Sequence, residues 1–211
     1  GQTILHNFLF TVANCAPTWT AGNFIDQQIE LIRKQVGEGE VLVGVSGGVD
    51  STVVAALLYK AIGDQSTAVL IDHGLLRKNE GRDCVNALKT GLGVNINMFD
   101  ESDIFLSKLE GVTDPEKKRK IIGNQFIYSF DRIAGEIGDM QFLAQGTLYP
   151  DVIESGVSKG KTAHVIKSHH NVGGLPDDMT FKLVEPLREL FKDEVRNVGR
   201  ELGLPESLIE R

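Results

Sequence analysis

Residues 44–52 read Gly44-Val45-Ser46-Gly47-Gly48-Val49-Asp50-Ser51-Thr52, a short string that combines glycines, hydroxyls and one carboxylate. An apolar run precedes it and an apolar-faced helical pattern follows, so the string sits where a strand turns into a helix. The first N–H groups of a helix have no intrahelical acceptor, and the helix dipole favours negative charge beside them. Glycines let that backbone approach an anion closely, and Ser46, Ser51 and Thr52 add hydroxyl donors. A bare Gly-Gly at such a turn often serves only a positive φ. The full string points to an anion site.

What the string lacks narrows the anion. A Walker-type loop places Lys just before its Ser/Thr, and here that position is Asp50. The Gly-x-Gly-x-x-Gly of dinucleotide-binding folds is also absent. A carboxylate would repel bound phosphates unless a divalent cation lay between them, so Asp50 is expected to ligate Mg²⁺ rather than only cap the helix. Asp151 follows the fourth predicted strand at the same sheet edge and is a candidate second Mg²⁺ ligand. Glu154 nearby reads equally well as a solvated loop acid. His169 and His170 are adjacent, and such neighbours seldom both reach one ion, so a metal role is not expected of them. Cys15 and Cys84 have no metal-ligand spacing with the histidines, which suits a reduced, cytoplasmic protein.

Elements that must position these groups can be read from periodicity. Phe24, Ile25, Gln28, Ile29, Ile32 and Val36 recur at helical spacing, with Asn23 as the expected cap and Gly37 as the stop. Strands are expected at 40–45, 67–71, 94–99 and 140–144, and helices at 52–62, 80–92, 102–109, 115–137 and 192–202. Pro205 is expected to open one more turn, whereas 1–22 and 150–181 show no clear pattern. This alternation predicts an α/β fold, a parallel twisted sheet with helices on both faces and a ligand crevice beyond the C-terminal strand ends. We expect one domain over 23–211 after an irregular lead-in at 1–22. Hydrophobic content of 41% and charged content of 24% suit a globular chain, and the longest apolar runs fall far short of a membrane span. A net charge of −7 without a basic stripe argues against nucleic acid as a partner.

Ser-Gly-Gly-x-Asp-Ser resembles the signature of the N-type PP-loop ATP pyrophosphatases, whose fold is adenine nucleotide α-hydrolase-like. Longer strings resemble one branch, the glutamine-hydrolysing GMP synthetases. These are Asp72-His73-Gly74-Leu75-Leu76-Arg77, the run from Asp114-Pro115-Glu116 to Gly123, Gln145-Gly146-Thr147 onward to Ser155, Ile166-Lys167-Ser168-His169-His170 onward to Pro176, and the run from Val184 to Arg196. Together with Trp19 and the first helix they cover residues ~19–211.

The resemblance implies an ATP pyrophosphatase domain that uses ATP with Mg²⁺ to adenylate xanthosine 5′-monophosphate (XMP), for amination by ammonia to GMP. It implies that Ser46, Gly47, Gly48, Val49, Asp50, Ser51 and Thr52 hold the β,γ-pyrophosphate, and that Ile71 and His73 lie against the adenine. Residues 117–120 would otherwise read as a solvated helix face, but in the family Arg119 matches a position that contacts XMP. The stretch 155–176 resembles a lid, with Lys161, Lys167, His169 and His170 supplying positive potential and phosphate contacts. The family also carries a glutamine amidotransferase domain, or a separate subunit, as ammonia source, and a C-terminal domain that dimerises and contributes to XMP binding. Neither cysteine sits on the glycine-flanked elbow that glutamine hydrolysis needs. Alone, the chain is expected to bind ATP with weak or no turnover, and a dimer is expected only with that further domain. The alternatives are another amidating ligase resembling NAD synthetase and a non-catalytic ATP-binding module, against which Asp50 and the lid argue.

Overall fold

The computed structural model describes residues 1–138, 140–157 and 181–210. The chain opens with helix α1 (Gln2–His6) and continues as π-helical turns over Asn7–Val12, so the lead-in is not irregular as expected. Ile4, Leu5, Phe8 and Val12 follow helical spacing there, and all four are exposed. Helix α2 (Ala21–Val36) is capped by Thr20, whose Oγ accepts the Asn23 N–H at 3.1 Å. Asn23, the expected cap, instead donates its side-chain amide to the Thr18 carbonyl. Strand β1 (Val41–Val45) leads into α3 (Val49–Ile62), and β2 (Ser66–Asp72) into α4 (Glu80–Asn86), which continues as π-helical turns to Gly91. Strand β3 (Ile96–Asp100), helices α5 (Ser102–Leu109) and α6 (Pro115–Ile137), and strand β4 (Phe142–Ala144) follow. After them come α7 (Tyr149–Val157), β5 (Lys182–Val184), α8 (Lys192–Glu201) and α9 (Glu206–Ile209).

The strands form one parallel sheet in the order β3-β2-β1-β4-β5, with Val43 of β1 registered against Ala68 on one side and Ala144 on the other. Helix α7 and strand β5 were not expected, since both fall at the margins of the stretch that lacks periodicity. The expected lid thus starts inside α7, and its remainder from 158 onward lies outside the described residues.

Alternation along the strands divides the core into two layers. Val41, Val43, Val45, Ala68 and Leu70 face α2, α3, α8 and α9. Leu42, Val69, Ile71 and Leu143 face Phe105 of α5 and Phe130, Ile133 and Ala134 of α6. Helix α3 is apolar almost all round, with Val53, Val54, Ala55, Leu57 and Leu58 fully shielded, as a helix packed on both sides must be. On the other face a buried polar cluster ties α6 to the end of β3. Ser129 donates to Glu101 at 2.9 Å, Gln125 donates to Ser129 at 3.0 Å, and Arg132 pairs with Glu101.

The strand order reverses between β1 and β4, and ligands in such sheets bind beyond the strand ends at that reversal. Helix α8 closes over α3 through Gly199, where a Cβ would stand 3.1 Å from Val53 Cγ2. Replacing Gly199 by Leu is expected to lower unfolding stability by about 1–3 kcal/mol through overpacking, seen as a lower urea midpoint at unchanged m-value.

Candidate functional site

The Ser46–Thr52 turn lies at the β1 end of that crevice and holds its shape through its own polar groups. Gly47 has φ +82°, a conformation that glycine adopts without strain. The Ser51 hydroxyl accepts the Ser46 N–H at 3.1 Å and donates to the Gly48 carbonyl at 3.1 Å. The Thr52 hydroxyl donates to the same carbonyl at 2.8 Å, and Thr52 itself is fully buried. Ser51 and Thr52 therefore shape the turn, leaving the free N–H groups of the α3 N-terminus as its anion donors.

Asp50 stands in the first turn of α3 and is backed by the turn after β4. A Cβ on Gly146 would lie 3.2 Å from Asp50 Cβ and 3.3 Å from its carbonyl carbon, so a side chain here would press on the start of α3 and force it or Gln145–Thr147 to shift. One carboxylate oxygen of Asp50 receives Lys192 Nζ at 2.6 Å. The other, Oδ1, is buried and has no hydrogen-bond partner among the described residues. Among those residues no group of three or more His, Cys, Asp or Glu could enclose a metal ion. A lone carboxylate with an unsatisfied oxygen beside a turn suited to phosphate fits Mg²⁺, which keeps several waters and shares substrate phosphates. Asp151 does not join this group through any described contact. Its Oδ2 accepts the Leu148 N–H at 3.0 Å and so caps the start of α7.

The β2 end forms the neighbouring wall. Ile71 is buried among the apolar residues of the α5–α6 layer, so only its main chain can meet a ligand. His73 Nδ1 accepts the Leu75 N–H at 3.2 Å, and Asp72 Oδ1 accepts the Gly74 N–H at 2.9 Å, which fixes the turn after β2. Burial lowers the His73 pKa below its ordinary 6.5, against the opposing charges of Asp72 and Glu80. A cleft of about 290 Å³ lined by Asp72, Arg77 and Glu80, among others, opens beside this turn. A larger hollow of about 520 Å³ lies between α2 and residues 184–189, and no candidate residue lines it.

Arg119 is exposed near the start of α6 and pairs with Glu116 at 3.2 Å. The 23 residues of α6 span about 34 Å at 1.5 Å per residue, so its first turns overhang the C-terminal edge of the much shorter strands. Arg119 makes no described contact to the Ser46–Thr52 turn. Lys161, Lys167, His169 and His170, like the Glu154 side chain, lie outside the described residues.

Sequence reasoning missed Lys192 and Gly146. Lys192 is 142 positions from its partner, so spacing could not reveal the pair. The one local clue is a lysine opening a helix, where the dipole disfavours it.

Two expected outcomes follow from this geometry. Gly146→Val is expected to weaken ATP binding roughly tenfold by calorimetry, since the residues that give way carry the site. For His73, the unfolded chain takes up a proton near pH 6.5 while the folded chain resists it. Its stabilising contribution is therefore complete above that pH and declines as the pH falls toward the lowered folded value. His73→Gln is expected to flatten that decline in urea midpoints measured across the acidic range.

The family model described as NAD synthase matches residues 22–125, from α2 into α6. Over its whole length the chain is 60% identical to a glutamine-hydrolysing GMP synthase of Lactobacillus delbrueckii subsp. bulgaricus and 57% identical to one of Teredinibacter turnerae. It spans 40% of the length of each. An NH3-dependent NAD synthetase from Campylobacter jejuni superposes with a TM-score of 0.66 at 17% identity, over 92% of this chain and 78% of the other. A U34-tRNA thiolase from Methanococcus maripaludis gives 0.63 at 22% identity, over 88% and 65%. These two likenesses show a shared fold, that of the PP-loop adenine nucleotide α-hydrolase group. Sequence similarity goes further: along its whole length the chain is 57–60% identical to part of glutamine-hydrolysing GMP synthases, and it has the PP-loop fold.

Proposed function

We propose that the chain is the ATP pyrophosphatase part of a GMP synthase, a C–N bond-forming ligase that adenylates XMP and passes it to ammonia. The carrying observation is the Ser46–Ser51 turn, a glycine-rich helix N-terminus with a half-satisfied carboxylate at Asp50, in a chain 57–60% identical to GMP synthases.

In the first step the purine 2-oxygen of XMP attacks the α-phosphorus of ATP. The bond from that phosphorus to the bridging oxygen breaks, and pyrophosphate leaves with the electron pair. In the second step ammonia adds at C2, the C2–O bond breaks, and AMP departs with that oxygen, giving GMP. The N–H groups at the start of α3 hold the β- and γ-phosphates as negative charge gathers there. Lys192 adds a cation at the same place. Asp50 would hold Mg²⁺, with Asp151 as a second candidate ligand, and the ion supplies charge neutralisation for the departing pyrophosphate. The main chain at Ile71 and the fixed turn at His73 orient the adenine, and Arg119 presents a planar cation to the XMP phosphate. Lys161, Lys167, His169 and His170 would close over the phosphates and exclude water that would hydrolyse the adenylate.

Ammonia comes, in this reading, from a glutamine amidotransferase domain or subunit. The chain spans 40% of its relatives' length, and in this reading that source acts in trans or within a longer protein. Dimerisation belongs to that longer protein. A cytoplasmic setting is part of this reading. No helix among the described residues is long and apolar enough to cross a membrane.

The test is pyrophosphate release from ATP and Mg²⁺, with XMP and with nicotinic acid adenine dinucleotide, in the longer protein. XMP alone is expected to stimulate release, and GMP is expected to form when ammonium is added. Stimulation by the dinucleotide instead would favour an NAD synthetase-like ligase. Asp50→Asn is expected to lower the XMP-dependent rate roughly hundredfold or more with the fold intact by circular dichroism. An unchanged rate would remove Asp50 from the metal site.

A further inference from the structure

We infer that Lys192 holds the cation seat on Asp50 until nucleotide arrives, so that divalent metal enters the site only together with the phosphates. This rests on reading the Ser46–Ser51 turn as the ATP–Mg²⁺ site. Three observations carry it. Lys192 Nζ lies 2.6 Å from Asp50 Oδ2, a charge-assisted hydrogen bond, while Oδ1 of the same carboxylate is buried without a partner among the described residues. Lys192 is the first residue of α8, where the helix dipole opposes a cation, yet Asp193 and Glu194 follow it as that dipole favours. The side chains are 42% and 29% exposed, and an ion pair so open to solvent contributes little to stability. A lysine placed where its own helix disfavours it, and adding little stability there, points to an effect on Asp50.

An ammonium and a divalent ion cannot share one carboxylate without strong repulsion. While Lys192 is paired, Asp50 is locally neutral and has small affinity for a second cation. Bound β- and γ-phosphates add negative charge within reach of both, so Lys192 can turn from Asp50 to phosphate oxygens and free the carboxylate. Metal and nucleotide then raise each other's affinity by the same factor.

The experiment measures free Mn²⁺, a paramagnetic substitute for Mg²⁺, by electron paramagnetic resonance with the whole chain. It is run with and without an α,β-methylene ATP analogue that cannot release pyrophosphate. Wild type is expected to bind Mn²⁺ weakly alone and much more tightly with the analogue. Lys192→Met and Lys192→Gln are expected to bind Mn²⁺ alone roughly tenfold more tightly, the scale of a typical coupling between sites, and to lose most of their dependence on the analogue. Lys192→Arg, which keeps the charge, is expected to behave as wild type. If the Met and Gln variants bind Mn²⁺ alone no more tightly than wild type, while the analogue still promotes binding, this inference falls and the ATP–Mg²⁺ reading stands. If the analogue promotes Mn²⁺ binding in no variant and not in wild type, both fall.

Discussion

Burial of α3 between the sheet and the α2–α8 layer fixes where an anion can bind in this molecule. A helix shielded by apolar contacts on both sides has no freedom to tilt or slide, so its N-terminus is held against the end of β1. The chain brings its other groups to that fixed point. The turn after β4 passes within contact of Asp50 because position 146 carries no side chain, and α8 reaches it because Gly199 lets two helices close. The turn after β2 is pinned separately, by hydrogen bonds that Asp72 and His73 make to the following main chain. Rigid apolar packing thus sets the position of groups that are themselves polar and partly open to water.

The repeating architecture was legible because parallel strands buried on both faces appear as unbroken apolar runs, and glycines mark the helix ends. Strand β1 and helices α5 and α6 lie close to the expected ranges for that reason. What escaped had no such pattern. Strand β5 is three residues long at the sheet edge with two of them exposed, too short for alternation to register. Helix α7 begins at Tyr149 and is capped by Asp151, a residue whose carboxylate drew attention as a metal ligand and whose capping role went unseen. Thr20 and Asn23 could each cap α2, and only geometry distinguishes them.

At the site, the reading from sequence was strongest where one residue type contradicted a familiar pattern, as Asp50 does where a Walker loop has lysine. It was weakest where function depends on distance in three dimensions. Lys192 belongs to a string that resembles the family, yet nothing in that string says which carboxylate it meets. Arg119 shows the opposite case. Its sequence neighbourhood reads as a solvated charge run, and in the structure it is solvated and paired with Glu116, so only the family resemblance singles it out. An acidic chain can still carry a local cation, as Lys192 beside the start of α3 shows, although its net charge is −7.

The hydroxyls of Ser51 and Thr52, both spent on the Gly48 carbonyl, bear on how a nucleotide is captured. A loop closed by its own hydrogen bonds has already lost the conformational freedom that a slack loop would surrender on binding. Phosphates arriving there, as proposed, would meet a turn whose main chain needs no further ordering of its own.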